Sequence, residues 1–206
     1  MIKNIIFDFD GVILDSLPIR DFGFKEIFKN YDDSLIEKLL TYHRINGGLS
    51  RYVKIKYFFE EILDSKITKK DIDILANKFS DIMKKELTNK KYLITETVEF
   101  LKKSDEKYNF HIASGSDEYE LKYLCNQLNI DKYFISIHGS PTAKNILVET
   151  ILNKYHYNKN ETILIGDSIN DYEASKRNNI DFYGFNNLEL KKYSTIYLNN
   201  YRVLEL

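Results

Sequence analysis

The sequence predicts an α/β protein, a doubly wound parallel sheet into which a helical segment is inserted after the first strand. Three observations carry that expectation. Six short apolar runs recur along the chain, helical text separates several of them, and the stretch between the first run and the second contains no strand-like text. Runs apolar nearly throughout are what strands covered on both faces look like. Their alternation with helices argues for parallel crossovers.

The first run is KNIIFDF at 3–9, rich in Ile and Phe and ending in acidic residues. Residues 16–92 follow as almost continuous amphipathic helix, through DFGFKEIFKNY, SLIEKLLTYH, RYVKIKYFFEEIL and KKDIDILANKFSDIMKKEL, with turn text HRINGGLSR at 43–51. The aromatic stripes there, including Tyr57, Phe58 and Phe59, read as helix packing. Alternation then resumes. Helix 96–105 leads to the run YNFHIAS at 108–114, and helix 118–129 leads to KYFISIHG at 132–139. Helix 144–155 precedes ETILIGD at 161–167, and IDFYGF at 180–185 and STIYLN at 194–199 complete the set. The division that follows is a core of 1–15 and 93–206 carrying a helical insertion at 16–92.

Composition narrows the function. The 206 residues are enough for one good core with a smaller insertion. Thirty basic against 31 acidic residues leave a net charge of -1, which gives no electrostatic case for nucleic acid or an anionic membrane. Met1 runs straight into strand text without the basic and apolar regions of a leader, and no apolar run approaches the roughly 18 residues of a spanning helix. The expectation is a cytoplasmic protein. Cys125 is the one cysteine, sits in helical text, and reads as a small half-buried apolar residue. The four histidines, His43 and His156 in helical text and His111 and His138 flanking strands, read as core or surface residues.

In an open parallel sheet, ligands bind beyond the carboxyl ends of the strands. The first strand delivers Asp8 and Asp10 there, and the second delivers Ser114-Gly115-Ser116-Asp117. Lys144 follows the third, and the fourth delivers Gly166-Asp167-Ser168-Ile169-Asn170-Asp171. Four carboxylates facing a single lysine repel one another, and a divalent cation is the usual remedy. Hard oxygen ligands suit Mg²⁺, which is commonly held by one or two carboxylates, waters and substrate phosphate. The Ser114 hydroxyl and the unobstructed Gly115 amide at a helix start suit phosphate oxygens, and Lys144 supplies a point charge.

With those motifs in view, the chain resembles the haloacid dehalogenase superfamily of phosphotransferases. Its four motifs appear in order as DFDGV at 8–12, HIAS at 111–114, Lys144 and GDSIND at 166–171. The resemblance implies a Rossmann-like core bearing a C1 cap after the first motif. It implies that Asp8 is the nucleophile forming an aspartyl-phosphate and that Asp10 is the general acid and then base, its pKa raised by neighbouring carboxylates. It implies a Mg²⁺ site from the Asp8 side chain, the Asp10 backbone carbonyl, Asp167 and Asp171, with Ser114, Gly115 and Lys144 on the phosphoryl group. Phosphatases and phosphomutases of the family keep the second Asp, whereas dehalogenases and ion-pumping ATPases do not.

Gly47-Gly48-Leu49-Ser50-Arg51 resembles the substrate loop of C1 caps, so Arg51 is expected at a sugar hydroxyl, carboxylate or second phosphate. Arg20, a second candidate for substrate contact, stands where a mutase carries its proton-shuttling histidine, which favours plain hydrolysis over a β-phosphoglucomutase-like activity. Asn145 departs from the proline usual after the third-motif lysine. The implied protein is a Mg²⁺-dependent phosphatase acting on a small phosphorylated metabolite, a sugar, polyol or similar monoester. A phosphorylatable regulator is the reading from another class, but receiver domains pair an acidic couple on the first strand with a phosphorylated Asp on the third, whereas here the further acids arrive on the fourth.

Overall fold

The computed structural model describes residues 1–205. Six strands form one all-parallel sheet in the order β3-β2-β1-β4-β5-β6. They are β1 (Asn4–Phe7), β2 (Asn109–Asp117), β3 (Ser136–Ser140), β4 (Thr162–Gly166), β5 (Asp181–Phe185) and β6 (Ile196–Leu198). Every β1 residue is buried, because β2 and β4 flank it at Phe7↔Ile112 and Phe7↔Ile165 and helices cover both faces. Side chains alternate across the sheet. Ile5, Phe7, Phe110, Ile163 and Ile165 therefore pack on one side with Phe100 and Leu101 of α5 (Thr95–Ser104) and Leu121 and Leu124 of α6 (Glu118–Gln127). Ile6, Ala113 and Leu164 turn to the other side, against Val148 and Ile151 of α7 (Lys144–Lys154) and Ala174 of α8 (Ile169–Asn178).

Between β1 and β2 lie α1 (Leu17–Ile27), α2 (Asp33–Ile45), α3 (Arg51–Tyr57) with a π-helical continuation at Phe58–Ile62, and α4 (Lys69–Glu86). Aromatic side chains knit them together: Phe24 of α1 lies 4.6 Å from Phe79 of α4, and Phe28 lies 4.1 Å from Phe58, centroid to centroid. The two chain segments joining this helical group to the sheet run side by side. Asp15 N–H donates to Tyr92 O at 2.8 Å and Ile94 N–H to Ile13 O at 2.9 Å. A short terminal helix, α9 (Arg202–Glu205), closes the described chain. Among the described residues, no helix is long and apolar enough to cross a membrane.

Some boundaries depart from the sequence expectation. β2 runs on to Asp117 instead of ending at Ser114, because a register shift between Ala113 and Asp117 lets the chain continue pairing with β3. β3 begins at Ser136, after a 3-10 turn at Asp131–Tyr133 that absorbs the start of the expected run. His111 and His138 lie within strands, and His111 is fully buried between the Ser136 and Tyr157 hydroxyls at 2.7 and 2.9 Å.

Candidate active site

The turn leaving β1 is tight. Gly11 adopts φ +74°, and a Cβ there would collide with the Asp167 carboxylate, so glycine alone allows this approach. Asn186 and Asn187, after β5, hold the same corner from the other side. Their amides donate to Gly11 O at 3.0 Å and Asp167 O at 2.8 Å. Asp8, Asp167 and Asp171 are thereby gathered so that one carboxylate oxygen from each lies within 4.8 Å of the others.

Lys144, the first residue of α7, reaches into this cluster. Its ammonium lies 2.9 Å from Asp8 Oδ1 and donates to Asp171 Oδ1. Asp8 Oδ1 also accepts the Phe9 amide at 2.7 Å, which fixes the carboxylate. Asp171 closes the start of α8 by accepting the Ser168 amide and hydroxyl on Oδ2 at 3.0 and 2.7 Å. Burial and the charge of Asp171 push the Asp8 carboxyl up to about 7, with Lys144 pulling the other way. Asp167 is pushed well above the usual carboxylate range by burial and by Asp8 and Asp171. Lys144 stays charged despite its burial because Asp171 and Asp8 face it.

Asp10 differs from the expectation in its surroundings. Its side chain stands apart from the three-carboxylate cluster, and Arg20 Nε lies 2.7 Å from its Oδ1. Ser16 donates to the same oxygen, and Ser116 donates to Oδ2 at 2.6 Å. Burial by itself would raise the Asp10 pKa, but Arg20 and the two hydroxyls hold it below the usual value. The expectation that crowding raises it is therefore overturned. Raised carboxyls belong to Asp8 and Asp167, and Arg20, expected at the substrate, is paired with Asp10 instead.

Ser114 is buried within β2, three residues before its end, where its Oγ accepts the Ser116 amide at 3.1 Å. Gly115 abuts the carbonyl of Gly48, and Gly48 in turn packs on Ser168 and Asn170. The GGLSR turn thus lies directly on the strand ends. Ser50 caps α3, accepting the Val53 amide at 3.4 Å. Arg51 does not reach the aspartate cluster. Its guanidinium lies 4.7 Å from the Phe79 ring centroid, and Nη1 donates to Ser80 Oγ at 2.6 Å and to Glu120 Oε2 at 2.5 Å. Glu120 is wholly buried and also accepts from Arg20 Nη1 at 3.1 Å. Sequence reasoning passed over Glu120, Lys54, Ser16 and the two asparagines, and brought Ser116 to the strand end without a role. Only Asn186-Asn187 carried a local signal, an amide pair just past a strand end.

A cavity of about 570 Å³ opens over Asp8, Asp10 and Asp167. The arrangement offers a carboxylate pinned by a lysine, a second carboxylate beside it, and an all-oxygen cluster of the kind hard divalent cations prefer.

A family model described as haloacid dehalogenase-like hydrolase matches residues 5–185. Similar solved structures share the fold at low identity. β-Phosphoglucomutase from Clostridium difficile superposes with a TM-score of 0.80 at 17% identity, covering 99% of this chain and 93% of that one. CbbY from Rhodobacter sphaeroides in complex with phosphate gives 0.79 at 14%, covering 99% and 96%. The HAD-hydrolase YfnB from Bacillus subtilis bound to magnesium gives 0.74 at 14%, covering 100% and 99%. No curated protein sequence matches the chain.

Proposed function

The chain belongs to the haloacid dehalogenase-like hydrolases, and from that premise we propose that it is a Mg²⁺-dependent phosphatase of small phosphorylated metabolites, working through an aspartyl-phosphate. The observation that carries this reading is the pinned carboxylate of Asp8, held by Lys144 and the Phe9 amide beside Asp167, Asp171 and Asp10. The three clustered carboxylates fit Mg²⁺ in charge and donor type, and Asp8, Asp167 and Asp171 are the residues that would hold it, with the Asp10 carbonyl as a further ligand. Bound there, Mg²⁺ supplies positive charge between a carboxylate and the phosphate it must approach.

The chain's own residues do the rest. An Asp8 oxygen forms the bond to phosphorus as the ester P–O bond breaks, and Asp10 gives its proton to the departing oxygen. A water molecule then attacks phosphorus, Asp10 takes its proton, and phosphate leaves with Asp8 restored. Held as a carboxylate by Arg20, Ser16 and Ser116, Asp10 is already in the form that the second step needs. The negative charge of an arriving phosphate favours the proton uptake that the first step needs. Lys144, the Ser114 hydroxyl and the Gly115 amide receive the phosphoryl oxygens. Residues 16–92 act as a cap whose GGLSR turn closes the site and keeps bulk water out.

The test is a panel of sugar, polyol and hydroxy-acid phosphates assayed with Mg²⁺. Release of phosphate that disappears in Asp8→Asn is the expected result. Undiminished turnover by that variant would remove Asp8 from the chemistry.

A further inference from the structure

Helix α3 brings into the chamber a cation that neither the motifs nor the mechanism uses. Lys54 is 3% exposed, and its ammonium donates to His43 Nδ1 at 2.9 Å and to Gly47 O at 3.2 Å. Both acceptors are uncharged, because burial and the charge of Lys54 push the His43 imidazole down to about 2. The nearby carboxylates are already matched. Arg20 bridges Asp10 and Glu120, and Arg51 pairs with Glu120, so two guanidiniums stand against two carboxylates. Lys54 has no carboxylate of its own, so burial and the nearby Arg20 push its ammonium down to about 7, and an arriving anion would supply the partner that keeps it charged.

The surroundings show where a partner would sit. Lys54, Arg20 and Arg51 wall a recess of about 20 Å³ beside Asp10 and Ser116. Arg20 Nη2 and Arg51 Nη2 are both buried without a hydrogen-bond acceptor. Asp10, Arg20, His43 and Gly47 line this recess and also the larger cavity over Asp8 and Asp167. A molecule with its phosphate on Asp8 and its ester oxygen near Asp10 therefore extends toward Lys54. The single amine and a recess with room for about one oxygen suit one end of a flat carboxylate and exclude a tetrahedral dianion.

We propose that Lys54, set in place by His43 and Gly47, is the specificity residue for a carboxylate on the substrate, so that the substrate is a phosphorylated hydroxy acid with its carboxylate a few bonds from the ester oxygen. The inference rests on the phosphatase reading for the position of the phosphate.

A matched pair of ligands tests it. 3-Phosphoglycerate and racemic glycerol 3-phosphate differ in a carboxylate against a hydroxymethyl group. Their binding to Asp8→Asn protein with Mg²⁺ is read by calorimetry, and their turnover by the parent enzyme as kcat/KM. The acid is expected to bind about tenfold to a hundredfold more tightly, the range for a hydrogen bond to a charged group. Adding Lys54→Met is expected to bring the ratio to about one, with circular dichroism reporting that the variant folds. Equal binding of the two esters, equal weakening of both by Lys54→Met, or tighter binding of fructose 1,6-bisphosphate than of the acid would each overturn the proposal. The parent ratio decides even if the variant does not fold. If the binding preference holds while neither ester is hydrolysed, the chemistry falls and the carboxylate subsite stands. If both are hydrolysed equally, the chemistry stands and the subsite falls.

Discussion

At the residue scale, Asp10 and Arg20 show how one contact decides a chemical role. A carboxylate amid other carboxylates is expected to hold its proton, yet 2.7 Å separates Asp10 Oδ1 from a guanidinium nitrogen, and that outweighs the more distant like charges. In Arg20→Met, burial is left opposed only by the two serine hydroxyls, so the Asp10 titration is expected to move upward. A ¹³C carboxyl titration reads it, and an unmoved Asp10 would show that Ser16 and Ser116 suffice to hold the carboxylate. Glu120 makes the converse case. It receives two arginines while wholly buried, so Glu120→Ala leaves Arg51 without a carboxylate while Arg20 keeps Asp10, and is expected to cost about 3–5 kcal/mol in denaturant unfolding. Asp8, Asp10, Asp167 and Asp171 were legible in the sequence because each pair lies within a few residues at a strand end. Glu120 and Lys54 were not, since what sets their roles is pairing across distant parts of the chain, and in the text each is one more charge on an amphipathic helix; Arg20 was marked by its place after the first motif, but its pairing with Asp10 and Glu120 was not.

At the scale of elements, the turn between α2 and α3 is fixed by space that only glycine leaves. Gly115 in the turn-like last stretch of β2 and Gly48 in that turn meet so closely that a Cβ on Gly115 would strike the Gly48 carbonyl. Backbone cannot yield as a flexible side chain can, so Gly115→Ala is expected to hold the helical group away from the strand ends. Turnover should fall by about a hundredfold, the scale of a roughly 1 Å misplacement, while X-ray scattering reports a more open molecule. Full activity with unchanged scattering would show that the contact is dispensable. The sequence announced both glycines but not their meeting. It also ended β2 early, because SGSD has the composition of a turn and nothing local records the shifted pairing with β3 that keeps it extended. Runs with unbroken apolar text, such as NIIF and TILIG, were legible since burial on both faces leaves them no other composition.

At the scale of the whole molecule, the site is where the fold concentrates unfavourable charge. Asp8 comes from the end of β1, Asp167 from the end of β4 and Asp171 from the first turn of α8, so packing the sheet is what drives the three carboxylates together. Lys144 neutralises one charge, held between Asp8 and Asp171, and Asp167 has no ion-pair partner among the described residues. A cation that binds this cluster in the folded chain, and finds no such cluster in the unfolded one, stabilises the fold by mass action. At a hundredfold excess over the dissociation constant the gain is about 2.7 kcal/mol. For a chain of this length that corresponds to a rise of about 5–10 °C in Tm. Mg²⁺ is therefore expected to raise the melting temperature in calorimetry, and EDTA to reverse it. Asp167→Asn separates this cause from general salt effects. Removing one of the crowded charges should raise the metal-free Tm and at the same time abolish the response to Mg²⁺. A variant that still gained the full increment would place the cation elsewhere, whereas one with a lowered metal-free Tm would show that Asp167 holds the corner through Gly11 and Asn187 more than it strains it.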